Sequence, residues 1–505
     1  MSEDSLKKRY FYKLLTNIIS LPIALVTQAI IPRILGPMSY GSYSFLTGFF
    51  SSIIGFLDSG TSIGFYTKLS QRQSEKGLIS FYWQFALSIF AIIILLISSI
   101  FIIGIDDFVW PDQTVKYVYL GLVWAWLTWV FRIVQKILDA KGFTRKNEII
   151  RSIQKLVSCV VLIFFYFIGS ISLEHFFYFQ YGSMFLYILL CYFYFNTLKI
   201  KLFPRIQVNY LAYIKEFYVY SGPLIIAAFV GLIVALLDRW FLQNFYGSLE
   251  QGYYGLAYQV GAVCFLFSGA MTPIFTREFA VAHANQNIHK KKQLFFKYVP
   301  LLYFIAAFLS LFITLHAETV MKLMGGDSYK EAVVVISIMA FYPIHQTYGQ
   351  LCGAVFYSTD NTKLYRNIVI VTMLISLPIS YFLIAPNKYY GLGFASEGLA
   401  LKMVVSQLIA VNLLLYYVTR IIKINFYKFI LHQIIVCLIL FSLSYFSKWI
   451  FLGLDIHYFL KFMLSGLFYL ISVLLLIVIN PKIISWKRKD MYKFILNLKN
   501  KIVIR

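Results

Sequence analysis

Apolar residues run along this chain in blocks of about 20, the length a helix needs to cross a hydrocarbon core, separated by short polar stretches. On that yardstick the pattern predicts fourteen membrane spans. Six fall in the first half, at 11–34, 41–66, 79–103, 115–137, 149–168 and 176–195. Six more follow at 219–241, 252–275, 298–315, 332–357, 368–385 and 395–418, and two close the chain at 429–446 and 458–479.

The polar stretches differ in charge. Of the 45 Lys and Arg, thirty-two lie in alternate loops and at the two ends, whereas the intervening loops hold six: Arg33, Lys116, Lys322, Lys330, Lys388 and Lys448. Short basic loops stay on the cytoplasmic side, so both termini are predicted to be cytoplasmic. Losing one span would invert every later loop and destroy the asymmetry, so charge checks the count of fourteen.

Composition agrees: 60% hydrophobic and 13% charged residues describe a polytopic all-α membrane protein, since soluble chains are about a quarter charged. The net charge of +24 sits in the inner loops and gives no reason to expect nucleic acid. Five cysteines in apolar runs have no paired spacing, which predicts neither a disulfide nor a metal site. No Ser-His-Asp order, metal-ligand cluster or phosphate-binding glycine motif occurs. The expectation is therefore no catalytic residue and no cofactor, with proton or sodium coupling left open. The longest outer loop, 316–331, has no room for a catalytic domain. In the basic tail, Met491, Ile495, Leu498 and Ile502 fall at helical spacing, which predicts an amphipathic helix on an anionic inner leaflet.

Two stretches echo each other. Residues 31–68 and 221–279 each carry an Arg, a Gly-Tyr turn, an apolar span with Ser-Gly late in it, and a basic end. Arg33 answers Arg239, Gly41 and Tyr43 answer Gly252 and Tyr254, Ser59-Gly60 answers Ser268-Gly269, and Lys68 answers Arg277. Two halves of one plan are implied.

Charge inside a span calls for a partner or a function. Arg239, with Asp238 beside it, reads either as a cavity cation for an anionic headgroup or as a helix-end residue that snorkels. Arg33 reads as a loop anchor closer to water. Asp58 lies about 25 Å beyond Gly41 along a helix; it carries a coupling proton, holds Lys68 or Arg132, or serves as a buried acceptor. Arg132, Lys136 and Asp139 share one helix face as a cationic vestibule or an anchor. Lys402 is a second candidate cavity cation. His345, near Gln346 and Gln350, reads as a proton carrier or as a histidine bonded to a carbonyl. Pro223, Pro273, Pro343 and Pro378 fall where they can kink helices.

The segments PRILGPMSYGSYSF, FLDSG, SGPL, LLDRWFL, GYYGLAYQV and PIFTREF resemble the signature regions of polysaccharide biosynthesis flippases. These are the Wzx-type lipid-linked oligosaccharide translocases of the multidrug/oligosaccharidyl-lipid/polysaccharide exporter superfamily. Where relatives often carry Arg at the end of the second span, this chain has Lys68. The resemblance implies two pseudo-symmetric six-helix bundles, at 1–208 and 209–424, two further helices within 425–481 and a tail at 482–505. It also implies movement of an undecaprenyl-diphosphate-linked oligosaccharide across a bacterial inner membrane for O-antigen or capsule, and it favours Arg239 on the substrate, with Lys402, Arg132 and Arg33 as the further candidates. Asp58, Asp238 and His345 would couple or support. Membrane lipids and other polysaccharide assembly proteins are the implied partners. The rival readings are a multidrug or cation extruder, which would favour cavity carboxylates, and a membrane polymerase or ligase, which would need a large outer loop.

Overall fold

A computed structural model describes residues 6–485 apart from 59, 170, 198–200, 205, 207 and 360. The predicted amphipathic tail, from Met491 to Ile502, and Ser59 of the repeat lie outside the described residues. Every regular element among the described residues is a helix, and twelve of these stretches are long and apolar enough to cross a membrane. Two of the twelve account for the difference from fourteen. Helix α1 (Leu6–Leu57) has 52 residues and is broken by the non-helical Gly36. Helix α8 (Tyr210–Ala262) has 53 and is broken by Gly247. At 1.5 Å per residue each would extend about 78 Å, more than twice the hydrocarbon core. Each therefore holds one predicted span and the first part of the next, joined at the glycine.

The two kinks share one conformation. Gly36 has φ 69° and ψ 168°, and Gly247 has φ 74° and ψ −168°, a region essentially closed to residues with a Cβ. They are 211 positions apart, as are Gly41 and Gly252, which fixes the register of the repeat. In that register Arg239 falls opposite Gln28, not Arg33.

The helices group into two compact units, residues 1–255 with 384–386, and residues 256–383 with 387–505. This division lies one span beyond the repeat boundary at 208, because a sequence repeat and a packing unit are different things. The first unit holds α1, α2 (Thr61–Gln71), α3 (Lys76–Ile103), α4 (Asp106–Val109), α5 (Val115–Ala140), α6 (Thr144–Ile168), α7 (Leu173–Thr197) and most of α8. Its core gathers Phe45, Leu46, Phe50, Tyr82, Trp129 and Ile133. The face of Phe65 stacks on Tyr82 at 4.3 Å.

The second unit holds α9 (Phe265–Ala284), α10 (Ile288–Leu315), α11 (Ala317–Met324), α12 (Val333–Met339), α13 (Tyr342–Ser358), α14 (Thr362–Ile384), α15 (Ala395–Ile422), α16 (Phe426–Leu452) and α17 (Tyr458–Ile479). Its core is built on Phe295, Tyr303, Tyr348, Leu415, Phe429 and Tyr469. The last two helices pack against α10 and its flanks, with Tyr469 stacked on Phe308 at 4.8 Å. Lys448 donates to the Leu315 carbonyl at 2.7 Å, so a cation caps the C-terminus of α10, where the helix dipole is negative.

Three predicted spans are discontinuous. The second breaks between α1 and α2, the eighth between α8 and α9, and the tenth between α12 and α13. Gly60 stands at positive φ at the first break, and Pro343 opens α13 after the third. Broken spans free backbone groups and are tolerated where protein or a water-filled cavity satisfies them.

His316, just past α10, is 5% exposed and stacks on Phe312 at 4.1 Å. Its Nδ1–H donates to the Phe312 carbonyl at 3.1 Å, and Nε2 has no partner among the described residues. Burial pushes the imidazole down to about 4, the Phe312 carbonyl works the other way, and Lys448 adds to the depression. Between pH 6.5 and 4 the unfolded chain thus binds a proton that the folded one does not, and stability falls as pH drops through that window. The loss approaches about 3 kcal/mol at its lower end. Thermal unfolding of purified protein at pH 7.5 and 4.5 should therefore differ less in His316→Phe than in the wild type; equal differences would remove His316 from the account.

Candidate functional site

The richest polar constellation in a span region forms around Arg239, in the first unit, where the first half of α8 meets the second half of α1. Gly41 and Gly252 make this approach possible. A Cβ at Gly41 would sit 1.6 Å from the Ser248 carbonyl oxygen, and one at Gly252 would sit 2.1 Å from that of Pro37. Each repeat's second helix thus begins against the other repeat's turn. Ser248, at this crossing, receives hydrogen bonds from Ser42 at 2.9 Å, Gln113 at 3.0 Å and Gln243 at 3.1 Å. Gln243 also donates to the Pro111 carbonyl at 3.0 Å.

Two turns before the Gly247 kink, Arg239 is half-buried. Its guanidinium donates to Gln251 Oε1 at 2.9 Å and to Ser44 Oγ at 3.3 Å. It lies over the Tyr254 ring at 4.6 Å from the centroid, while Gln251 Nε2 donates back to the Arg239 carbonyl at 2.6 Å. The guanidinium passes Gly48, where a Cβ would lie in ordinary contact at 3.7 Å from Nε. These partners are neutral. They orient the fork and stack its face without cancelling its charge, which is the preparation an anion site needs. Asp238 beside it is 7% exposed. Arg33 is half-buried one turn before Gly36.

A second constellation lies at the break in the second span. The Asp58 carboxylate accepts from Tyr82 at 2.8 Å, from Thr61 at 3.3 Å and from Ser62. Thr61 and Ser62 open α2, so the carboxylate sits where the helix dipole favours negative charge. Lys136, on α5, feels both Asp58 and the exposed Arg132. The basic partner suggested for Asp58, Lys68, is engaged elsewhere: its ammonium is 2.5 Å from Glu216. Asp139 accepts from Asn147 at 3.2 Å, and Tyr187 donates to the same Asn147 at 2.5 Å.

The remaining candidates belong to the second unit. Lys402 is 2% exposed within α15. His345 lies in the first turn of α13, and its Nδ1 is buried with no hydrogen-bond partner among the described residues. Nearby on these helices Gln407 donates to Gln346. Arg239, Asp58, Arg132, Arg33 and Asp238 therefore share one unit, and Lys402 and His345 share the other. No group of three metal-ligating side chains occurs among the described residues.

Sequence reasoning missed Ser44, Gln251 and Tyr82 as partners. Gln251 directly precedes the Gly-Tyr motif, which was its only local signal.

Comparison with known proteins bears on this geometry directly. Residues 6–278, which include every group around Arg239 and Asp58, match the polysaccharide biosynthesis protein family. The capsular polysaccharide biosynthesis protein CapF of Staphylococcus aureus is 24% identical over 216 residues, 42% of this chain and 52% of CapF; the match thus spans about half of that relative. Among solved structures, the lipid II flippase MurJ in an inward closed conformation aligns with a TM-score of 0.65 at 12% identity, over 92% of this chain and 98% of MurJ. An inward-facing multidrug resistance transporter of the MATE family gives 0.64 at 14% identity, over 80% of this chain and 94% of that one. Both are likenesses of fold. The multi-span helical chain with its glycine-crossed repeats belongs to the polysaccharide biosynthesis protein family.

Proposed function

We propose that this protein is a transporter, not an enzyme, and that it moves a polyprenyl-diphosphate-linked oligosaccharide from the cytoplasmic to the outer leaflet of a bacterial inner membrane. Its product supplies a surface polysaccharide such as O-antigen or capsule. The observation that carries the reading is the Arg239 guanidinium, held by Ser44, Gln251 and Tyr254, none of which neutralises it. A diphosphate bound there gains charge-assisted hydrogen bonds, while the polyprenyl tail stays in lipid. Family membership and the MurJ-like fold support this substrate class. Both termini are cytoplasmic in this reading, as the basic loops require.

No cofactor is needed. With the inside negative, each elementary charge moved outward gains about 2.3 kcal/mol per 100 mV. Two uncompensated phosphate charges would gain about 4 to 5 kcal/mol, and a neutral sugar nothing.

Deletion of the gene, in a strain without a redundant flippase, is expected to trap the lipid-linked oligosaccharide on the cytoplasmic leaflet and to remove the surface polysaccharide. Drug resistance is expected to stay unchanged. Normal surface glycan together with new sensitivity to cationic dyes would select the extruder instead.

A further inference from the structure

Where the second span ends, one carboxylate is shared by two cations. Glu216 Oε1, on the first turns of α8, lies 2.5 Å from Lys68 Nζ and 2.5 Å from Arg72 NH2. Arg72 is also 3.1 Å from Glu75, whose other oxygen accepts from Tyr213 at 2.5 Å. Tyr213 and Glu216 are one turn apart on the same helix. The surroundings are more basic than these pairs suggest. Lys141 donates to the Gln73 carbonyl at 2.7 Å, and burial, with Lys76 nearby, lowers its affinity for a proton. Against burial, the Lys68 and Arg72 contacts hold the Glu216 carboxyl below the usual range.

Two further features point to a ligand. On α8, Ile214 and Phe217, which flank Glu216 in sequence, line an apolar cavity of about 250 Å³ that Leu57, Phe81, Phe85 and Ile225 complete. A seat for an anion thus adjoins a space for hydrocarbon, the two halves of an amphiphile. The second repeat lacks this arrangement among the described residues: in the register of 211 positions Phe279 falls opposite Lys68, and the nearby Arg277 is 74% exposed, 3.9 Å from its own neighbour Glu278.

We propose that Lys68 and Arg72 form a seat for the phosphate of a phosphate-bearing lipid whose hydrocarbon enters the adjoining cavity, and that Glu216 is the internal occupant this phosphate displaces. The inference rests on the flippase reading for its function, since such a seat at the basic end would receive a substrate before it reaches Arg239. The carried diphosphate lipid and a bulk anionic phospholipid offer the same chemistry. Exchange of one carboxylate for a diphosphate keeps both cations paired, so loading leaves neither of them bare.

The test is binding to the full-length protein in phosphatidylcholine nanodiscs, with farnesyl diphosphate and inorganic diphosphate as probes. Glu216→Gln keeps the size of the side chain, removes the competing charge, and should tighten farnesyl diphosphate about tenfold or more. Adding Lys68→Gln and Arg72→Gln should abolish the gain. Ile225→Trp, which fills the cavity, should weaken farnesyl diphosphate and leave inorganic diphosphate unaffected. If phosphatidylglycerol in the discs leaves the affinity intact, the carried lipid is the ligand; if it competes the probe away, the seat belongs to bulk phospholipid. Unchanged affinity in Glu216→Gln, or a gain that survives loss of both cations, would overturn the proposal. Because this reads affinity and not transport, its failure leaves the flippase reading standing. Failure of transport leaves the seat standing.

Discussion

Alanine at Gly41 or Gly252 is expected to abolish accumulation of folded protein. The atoms a new Cβ would strike are backbone carbonyl oxygens, at 1.6 Å from position 41 and 2.1 Å from position 252. No rotamer change relieves such a clash. Overpacking costs about 1 to 3 kcal/mol when side chains can yield; here two helices must separate, and the Ser42, Gln113 and Gln243 bonds to Ser248 go with them. Gly55 is the control. It lies on the same helix, with nothing within 4 Å of its would-be Cβ, so Gly55→Ala should give normal yield. Monodisperse protein recovered by size-exclusion chromatography measures all three; wild-type yield for Gly41→Ala would show that the crossing is looser than described.

The second large effect concerns Arg239. Arg239→Ala should lower transport at matched expression by more than tenfold, and Arg239→Lys should recover little of it. Lysine keeps the charge but supplies a point donor in place of a planar fork. Both bonds to Ser44 and Gln251 come from one guanidinium nitrogen, so an ammonium that makes them has no planar face for Tyr254 and no second nitrogen to offer an anion. Gln251→Leu, which leaves the guanidinium charged and removes its best-placed partner, should fall between wild type and Arg239→Ala. Transport by Arg239→Lys equal to wild type would reduce Arg239 to a generic cation.

What could be read beforehand follows from how each feature is encoded. Spans are legible because burial in lipid writes a continuous apolar block, and the repeat was visible because Gly41 and Gly252 are required by close backbone contact. The breaks after Ala262 and before Tyr342 were not legible, since apolar residues run straight through them, whereas the polar run that opens at Asp58 was seen as a charge in a span and not as its interruption. The site was half legible. Arg239 stood out as a charge in an apolar run, whereas Ser44 lies 195 positions away from it and Glu216 lies 148 positions from Lys68. Pairings at such distances leave no local trace. Matching Arg33 with Arg239 failed for a related reason: chemical likeness was followed where the register is set by backbone, through Gly36 and Gly247.

The most direct measurement of the central claim uses purified protein in liposomes loaded on one leaflet with a polyprenyl-diphosphate oligosaccharide, whose exposure on the other leaflet is followed by an impermeant glycosidase or lectin. The wild-type protein should carry the glycan across, faster when a membrane potential drives negative charge in that direction, and Arg239→Ala should not. A rate equal to that of protein-free liposomes, or one indifferent to both Arg239 and the potential, would contradict the account.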